Sequence, residues 1–245
     1  MVIDKLIGQE TPEGDGVVVT RLFPTHQIMN HDPFVLFDHF TLKEGTGFPN
    51  HPHRGFEAIT YVFEGGMNHK DNLGNDKFVS QGGAQVFCAG SGLIHSEMPA
   101  NKGTTSGIQL WINLSKKEKG ISPTYQFFEK EDLPSYSENG VEVTDIVGSN
   151  SPVFLHTKIV YQHLKFERNT EKLINIQKSF NAIIYVVSGE FEIKNQKIVR
   201  GESLLISSVE KPSVVSTKSI NKGEIIFCSA IPHKEPIYQH GPYVD

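Results

Sequence analysis

The chain has 245 residues, 38% of them hydrophobic and 21% charged, with a formal charge of −5, so intrinsic disorder is excluded as the starting assumption. Its Lys and Arg are scattered and form no basic stripe for a phosphate backbone, which argues against direct nucleic-acid binding. No apolar run approaches the roughly 20 residues of a membrane span, and the opening Val2-Ile3-Asp4-Lys5 has no apolar signal core, so a cytoplasmic protein is expected.

The first fifty residues alternate short apolar stretches, such as Gly16-Val17-Val18-Val19-Thr20-Arg21-Leu22 and Phe34-Val35-Leu36-Phe37, with turn formers such as Asn30-His31-Asp32-Pro33. Glycine and proline recur at strand-end spacing along the whole chain, and no long segment shows a helical period, so the fold class is all-β. Cys88 and Cys228 lie in apolar strand-like surroundings and read as buried reduced thiols.

An internal echo organises the chain. Ile59-Thr60-Tyr61-Val62-Phe63-Glu64-Gly65 is matched 124 positions later by Ile183-Ile184-Tyr185-Val186-Val187-Ser188-Gly189. Gly82-Gly83-Ala84-Gln85-Val86-Phe87 is matched 119 positions later by Gly201-Glu202-Ser203-Leu204-Leu205-Ile206. Each copy has a strand ending at a turn glycine and a second strand starting from one, which predicts two related β-barrels in tandem. Polar, Pro- and Gly-containing connections between Ser115 and Val153 place the boundary, giving domains at 1–130 and 131–245.

Chemistry concentrates in the first copy. His51-Pro52-His53 and His95-Ser96-Glu97 each place two ligand-type side chains two residues apart, hence on one face of a strand. Facing each other, the pairs give three imidazoles and a carboxylate. On a six-coordinate ion that set leaves two positions for water, substrate or dioxygen, whereas on tetrahedral zinc it would be closed. Glu57 shares strand parity with His51 and His53 and is the competing carboxylate. Shifting the four residues by the echo offsets lands on Asn175, Gln177, Val214 and Ser216, so the second barrel lacks the cluster. The fold therefore does not require it.

Gly-Phe-Pro-x-His-Pro-His-Arg-Gly-Phe-Glu at 47–57, Glu-Gly-Gly-Met at 64–67, Gly-x-x-His-x-Glu at 92–97 and Gln-Leu-Trp-x-Asn-Leu at 109–114 resemble signatures of the pirins, within the cupin superfamily. The likeness is strong over residues 30–126 and looser beyond. It implies two tandem cupin barrels of the double-stranded β-helix, or jelly-roll, type, with iron in the N-terminal barrel and no metal in the C-terminal one. It further implies His51, His53, His95 and Glu97 as the metal ligands, with Glu57 an outer carboxylate that orients a histidine. Asp38, Phe48, Arg54, Met67 and Gln109 are implied as pocket walls, although Phe48 and Met67 also suit a core and Arg54 and Asp38 suit a mutual ion pair. Trp111 is expected to pack in the barrel, and His69 is the other histidine closest to the site.

Ligand types alone admit Fe(II), Mn(II), Co(II), Ni(II) or Zn(II). The activity implied is a dioxygenase acting on flavonols, of the quercetin 2,3-dioxygenase type, with a small aromatic enol or flavonol and O2 as substrates and Glu97 as proton acceptor. The alternative is a metal- or redox-dependent regulator that binds a transcription complex or a metabolic enzyme as protein partner. A sugar-modifying cupin is a third reading, for which Glu57 is the best available base.

Overall fold

The computed structural model describes residues 2–100, 103–207 and 210–245. The strands in chain order begin with β1 (Val2–Ile7), β2 (Gln9–Glu13), β3 (Val17–Phe23), β4 (Phe34–Leu42), β5 (Phe48–His53) and β6 (Phe56–Glu64). They continue with β7 (Gly66–Asp71), β8 (Asp76–Ser80), β9 (Ala84–Cys88), β10 (Leu93–Pro99), β11 (Thr105–Asn113) and β12 (Thr124–Phe128). The second series is β13 (Ser135–Glu138), β14 (Val141–Val147), β15 (Ile159–Phe166), β16 (Glu171–Ile176), β17 (Asn181–Ser188) and β18 (Glu190–Ile193). Last come β19 (Gln196–Val199), β20 (Glu202–Ser207), β21 (Ser213–Ser219), β22 (Gly223–Ala230), β23 (Gln239–His240) and β24 (Tyr243–Val244). Helix among the described residues is confined to two 3-10 turns, at Lys116–Glu118 and Lys130–Asp132, so none is long and apolar enough to cross a membrane.

The chain forms two compact units. The first comprises Gln9–Asp132, Leu155–Thr157 and His233–Asp245, and the second Met1–Gly8, Leu133–Phe154 and Lys158–Pro232. These bounds differ at both ends of the chain from a division into 1–130 and 131–245. Strand β1 pairs antiparallel with β20 and so joins the second unit, while the last thirteen residues (233–245) join the first.

Each unit has a seven-stranded and a four-stranded sheet in the same order. The first has β12-β9-β6-β11-β4-β3-β2 and β5-β10-β7-β8, and the second has β1-β20-β17-β22-β15-β14-β13 and β16-β21-β18-β19. Position by position, β6 corresponds to β17, β9 to β20, β5 to β16 and β10 to β21. The echo is thus the repeated centre of a cupin barrel. Strands β6 and β17 read as apolar runs because they are central and buried on both faces.

Both end at a glycine with positive φ, Gly65 at 74° and Gly189 at 83°. A Cβ on Gly65 would lie 2.4 Å from the Thr104 carbonyl oxygen, and one on Gly189 2.7 Å from Gly223 Cα, so glycine is needed for space as well as for conformation. The strand pairing also sharpens the internal comparison by one residue. His51 pairs with His95 as Ile174 pairs with Val215, and the partners of His53 and Glu97 by position are Ile176 and Thr217. The residues expected from a uniform shift, Asn175, Gln177, Val214 and Ser216, belong to the alternate face.

Candidate metal centre

Strands β5 and β10 lie antiparallel with His51 opposite His95 and His53 opposite Leu93. The three rings converge, with centroids 4.5 Å apart for His51 and His53, 4.5 Å for His51 and His95, and 4.9 Å for His53 and His95. The Nδ1 atom of each ring is engaged away from the centre. His51 Nδ1 donates to the Pro49 carbonyl at 2.7 Å, and His53 Nδ1 to the Pro242 carbonyl at 3.3 Å. His69 Nε2 donates to Asp71 Oδ2 at 3.0 Å, which leaves His69 Nδ1 as an acceptor for His95 Nδ1 at 3.4 Å.

These bonds fix one tautomer in all three rings, with Nε2 carrying a lone pair. His95 Nε2 and His51 Nε2 lie 3.1 Å apart, and His53 Nε2 is buried without a hydrogen-bond partner. Lone pairs so placed repel each other unless a cation lies among them, and the chemistry of the set therefore fits a metal ion. Burial is the main cause holding His51, His53 and His95 below the ordinary imidazole range, His53 down to about 3, so all three are neutral and available as donors near pH 7.

Glu97 is buried, and burial pushes its carboxyl up to about 7 against the opposing hydrogen bonds of Thr60 and Gln85. The Thr60 hydroxyl lies 2.9 Å from Oε1, the Gln85 side-chain amide donates to the same oxygen, and the Gln109 amide donates to Oε2 at 3.3 Å. The Tyr125 hydroxyl in turn donates to Gln85 at 3.1 Å. Donor nitrogens of His51, His53 and His95 lie within 4.8 Å of one another, and Glu97 shares that spacing with His95 and His69. The two groups share His95, and neither holds all four of the expected ligands at that spacing.

A cavity of about 550 Å³ opens onto His51, His53 and Glu97. Asp38, Phe48, Met67 and Gln109 line it, as does Trp111. Phe48 and Met67 also pack in an apolar cluster with Val19, Phe40 and Leu42, so they are core and wall at once. Trp111 stacks on Phe56 with centroids 4.1 Å apart, as expected for barrel packing, and its indole N–H is buried without a partner.

Two expectations are overturned. Arg54 is not a wall of the cavity and does not pair with Asp38. Its guanidinium makes two hydrogen bonds to Asp245, at 2.8 and 3.0 Å, and lies 4.8 Å from the centre of the Tyr243 ring. Asp38 pairs instead with Arg21 at 2.6 and 2.8 Å, and Arg21 also reaches Glu13 at 2.6 Å. Glu57, for its part, orients no histidine of the cluster. The chain turns at Gly55, φ +83°, and passes from the four-stranded to the seven-stranded sheet, so the parity of His51 and His53 does not extend to residue 57. Glu57 accepts the backbone N–H groups of His156 at 2.9 Å and Thr157 at 3.1 Å.

Thr60, Gln85, Asp71 and Tyr125 join the site beyond the residues the motifs single out. A signal for the first two was present, since Thr60 and Gln85 are polar residues inside otherwise apolar strands. Asp71 lies two residues from His69 and hence on the same face.

Comparison with known proteins gives the family. The family model described as Pirin matches residues 16–112, and that described as Pirin C-terminal cupin domain matches residues 161–245. A Pirin-like protein of Solanum lycopersicum is 36% identical, covering 100% of this chain and 86% of that protein. The Pirin of Homo sapiens is 34% identical, covering 98% and 85%. Among solved structures, a quercetin 2,3-dioxygenase from Acinetobacter baumannii superposes with a TM-score of 0.90 at 23% identity, covering 99% of this chain and 83% of that one. A bacterial pirin of Escherichia coli in complex with nickel(II) gives 0.78 at 22% identity, covering 94% and 100%. With relatives at this identity along nearly its whole length, the chain belongs to the pirin family.

Proposed function

We propose that the chain is an iron(II)-dependent dioxygenase of flavonols or related aromatic enols, of the quercetin 2,3-dioxygenase type, with His51, His53, His95 and Glu97 holding the ion. The observation that carries this reading is the cavity of about 550 Å³ that meets two of those imidazoles and the carboxylate, a size within the usual range for small-molecule sites. Iron(II) held there would supply Lewis-acid and one-electron chemistry to a ring oxygen and to dioxygen.

The chain's own residues supply the rest. Phe48, Met67, Leu36 and Trp111 give apolar walls for a flat ring system, and the Arg21 and Asp38 pair gives one polar edge. The unpartnered Trp111 N–H is a free donor for a substrate oxygen. Glu97 faces the cavity and accepts the proton of a substrate hydroxyl, while Gln109 and Thr60 hold its carboxylate in place. The Acinetobacter neighbour named as a quercetin 2,3-dioxygenase supports the substrate class, and the nickel complex of the Escherichia coli pirin supports a divalent ion without selecting iron. Both cysteines are free and buried, in keeping with a cytoplasmic protein.

The test is oxygen uptake by iron-loaded protein with quercetin. Uptake well above that of free iron, abolished in His51→Ala, is expected. Full iron occupancy with uptake at the free-iron background would overturn the enzyme reading. A redox-dependent regulator that binds a protein partner draws support from strand β10. That strand turns His95 and Glu97 inward and exposes Ile94 and Met98 on its outer face. Partner capture that depends on the oxidation state of the iron, without flavonol turnover, would favour it.

A further inference from the structure

We propose that Glu57, Cys88 and His156 form a second metal site, for a thiophilic divalent ion such as zinc(II) or cobalt(II), on the opposite face of the sheet from the histidine cluster. Thr60 and Gln85 are direct cross-strand partners on β6 and β9, and both reach Glu97 on the inner face. Glu57 and Cys88 are also direct partners, three residues along each strand, so strand alternation sends them to the outer face. Cross-strand register fixes this pair side by side.

The third donor arrives with its backbone already fastened. Glu57 holds the amides of His156 and Thr157, which places the His156 side chain beside the pair. The carboxylate oxygen, the thiol sulfur and an imidazole nitrogen lie within 4.8 Å of one another. Each Glu57 oxygen accepts one amide and keeps lone-pair capacity for an ion. Glu57 and Cys88 are buried, whereas His156 is exposed and provides an entry side.

Sulfur, nitrogen and oxygen donors together suit zinc or cobalt, with water as a fourth ligand. Tetrahedral bonds of about 2.0–2.3 Å set ligand atoms roughly 3.3–3.8 Å apart, so closure asks for an inward shift of about 1 Å, which the exposed imidazole can supply. Binding exchanges the Cys88 thiol proton, released to solvent, for a sulfur–metal bond, and no atom changes oxidation state. A bound ion would cross-link segment 155–157 to the first barrel.

Cobalt(II) titration of the full-length, metal-free protein under anaerobic conditions tests the site, because sulfur-to-cobalt charge transfer absorbs strongly in the near ultraviolet and a histidine–carboxylate centre has no sulfur. Two bound equivalents are expected, one of them with that absorption. Cys88→Ser should remove the band and one equivalent, and His156→Ala should weaken that equivalent at least about tenfold. His95→Val should remove the other equivalent and leave the band. Cys228→Ala should leave both. The unsubstituted protein gives a reading that no folding defect can confuse: absence of the band at saturating cobalt overturns the site. Persistence of the band in Cys88→Ser overturns it as well, whatever becomes of the histidine centre.

Discussion

In the first unit, strands β5 and β10 turn His51, His53, His95 and Glu97 toward the barrel interior, whereas the equivalent strands β16 and β21 turn in Ile174, Ile176, Val215 and Thr217. Ile174, Ile176 and Val215 belong to one continuous apolar cluster with Val143, Phe191 and Ile225. Burying each such aliphatic side chain stabilises a fold by roughly 1.5–3 kcal/mol. The first barrel forgoes that gain at the same places and must satisfy buried imidazoles and a buried carboxylate with Asp71, Thr60, Gln85 and Gln109. A shared sheet order with such different interiors shows that the topology does not depend on the histidines. Thr217 keeps a polar atom where Glu97 sits in the other barrel, buried and without a partner.

Giving the first barrel the residue of the second is the most damaging exchange for chemistry. His95→Val should lose the bound first-row metal at the histidine centre, with a fall of at least about 100-fold in affinity, while far-ultraviolet circular dichroism stays that of the folded protein. A variant that unfolds would break the comparison, since it would make the histidine necessary to the barrel. In the second barrel the effect is reversed. Ile174→Ala should cost about 2–5 kcal/mol in urea unfolding and leave metal content unchanged.

A smaller difference lies in pH dependence. Burial is the main cause lowering the imidazoles of His51, His53, His69 and His95 in the first unit, and of His163 in the second, where Glu224 opposes it. A depressed folded-state pKa means that the unfolded chain takes up protons first. Stability is therefore full above the ordinary imidazole value of 6.5 and declines as pH falls below it. Glu97 and Asp38, raised by burial to about 7 and about 6, and Glu57, also raised by burial, take up protons more readily in the folded state and offset part of the loss. The four imidazoles outnumber them. Metal-free protein should lose stability on acidification more steeply in the first unit, followed by fluorescence of the sole tryptophan, Trp111, than in the second, followed by labelling of Cys228. Equal slopes would remove this distinction between the barrels.

The echo was legible because central strands buried on both faces must be apolar runs, and because Gly65 and Gly189 end them in a backbone conformation that few other residues adopt. The histidine cluster was legible through alternation within two short strands. What escaped depended on tertiary pairing. Strand β1 adds to the edge of the second sheet at the position β12 holds in the first, and no periodicity records which edge a terminal strand chooses. Glu57 was misplaced because one turn at Gly55 resets the faces, and Arg54 and Asp38 found Asp245 and Arg21, partners 191 and 17 residues away along the chain. The link from Asp71 through His69 to His95 spans two strands whose register only the folded sheet supplies.

On the proposed reading, three imidazoles and one carboxylate of the first barrel hold a single iron. Anomalous diffraction at the iron edge from iron-loaded crystals tests it most directly. One iron peak is expected, bonded to His51, His53, His95 and Glu97 and with no counterpart at Ile174, Ile176, Val215 and Thr217. Iron held by His69 in place of one of the four, or bound outside the cavity, would contradict the account.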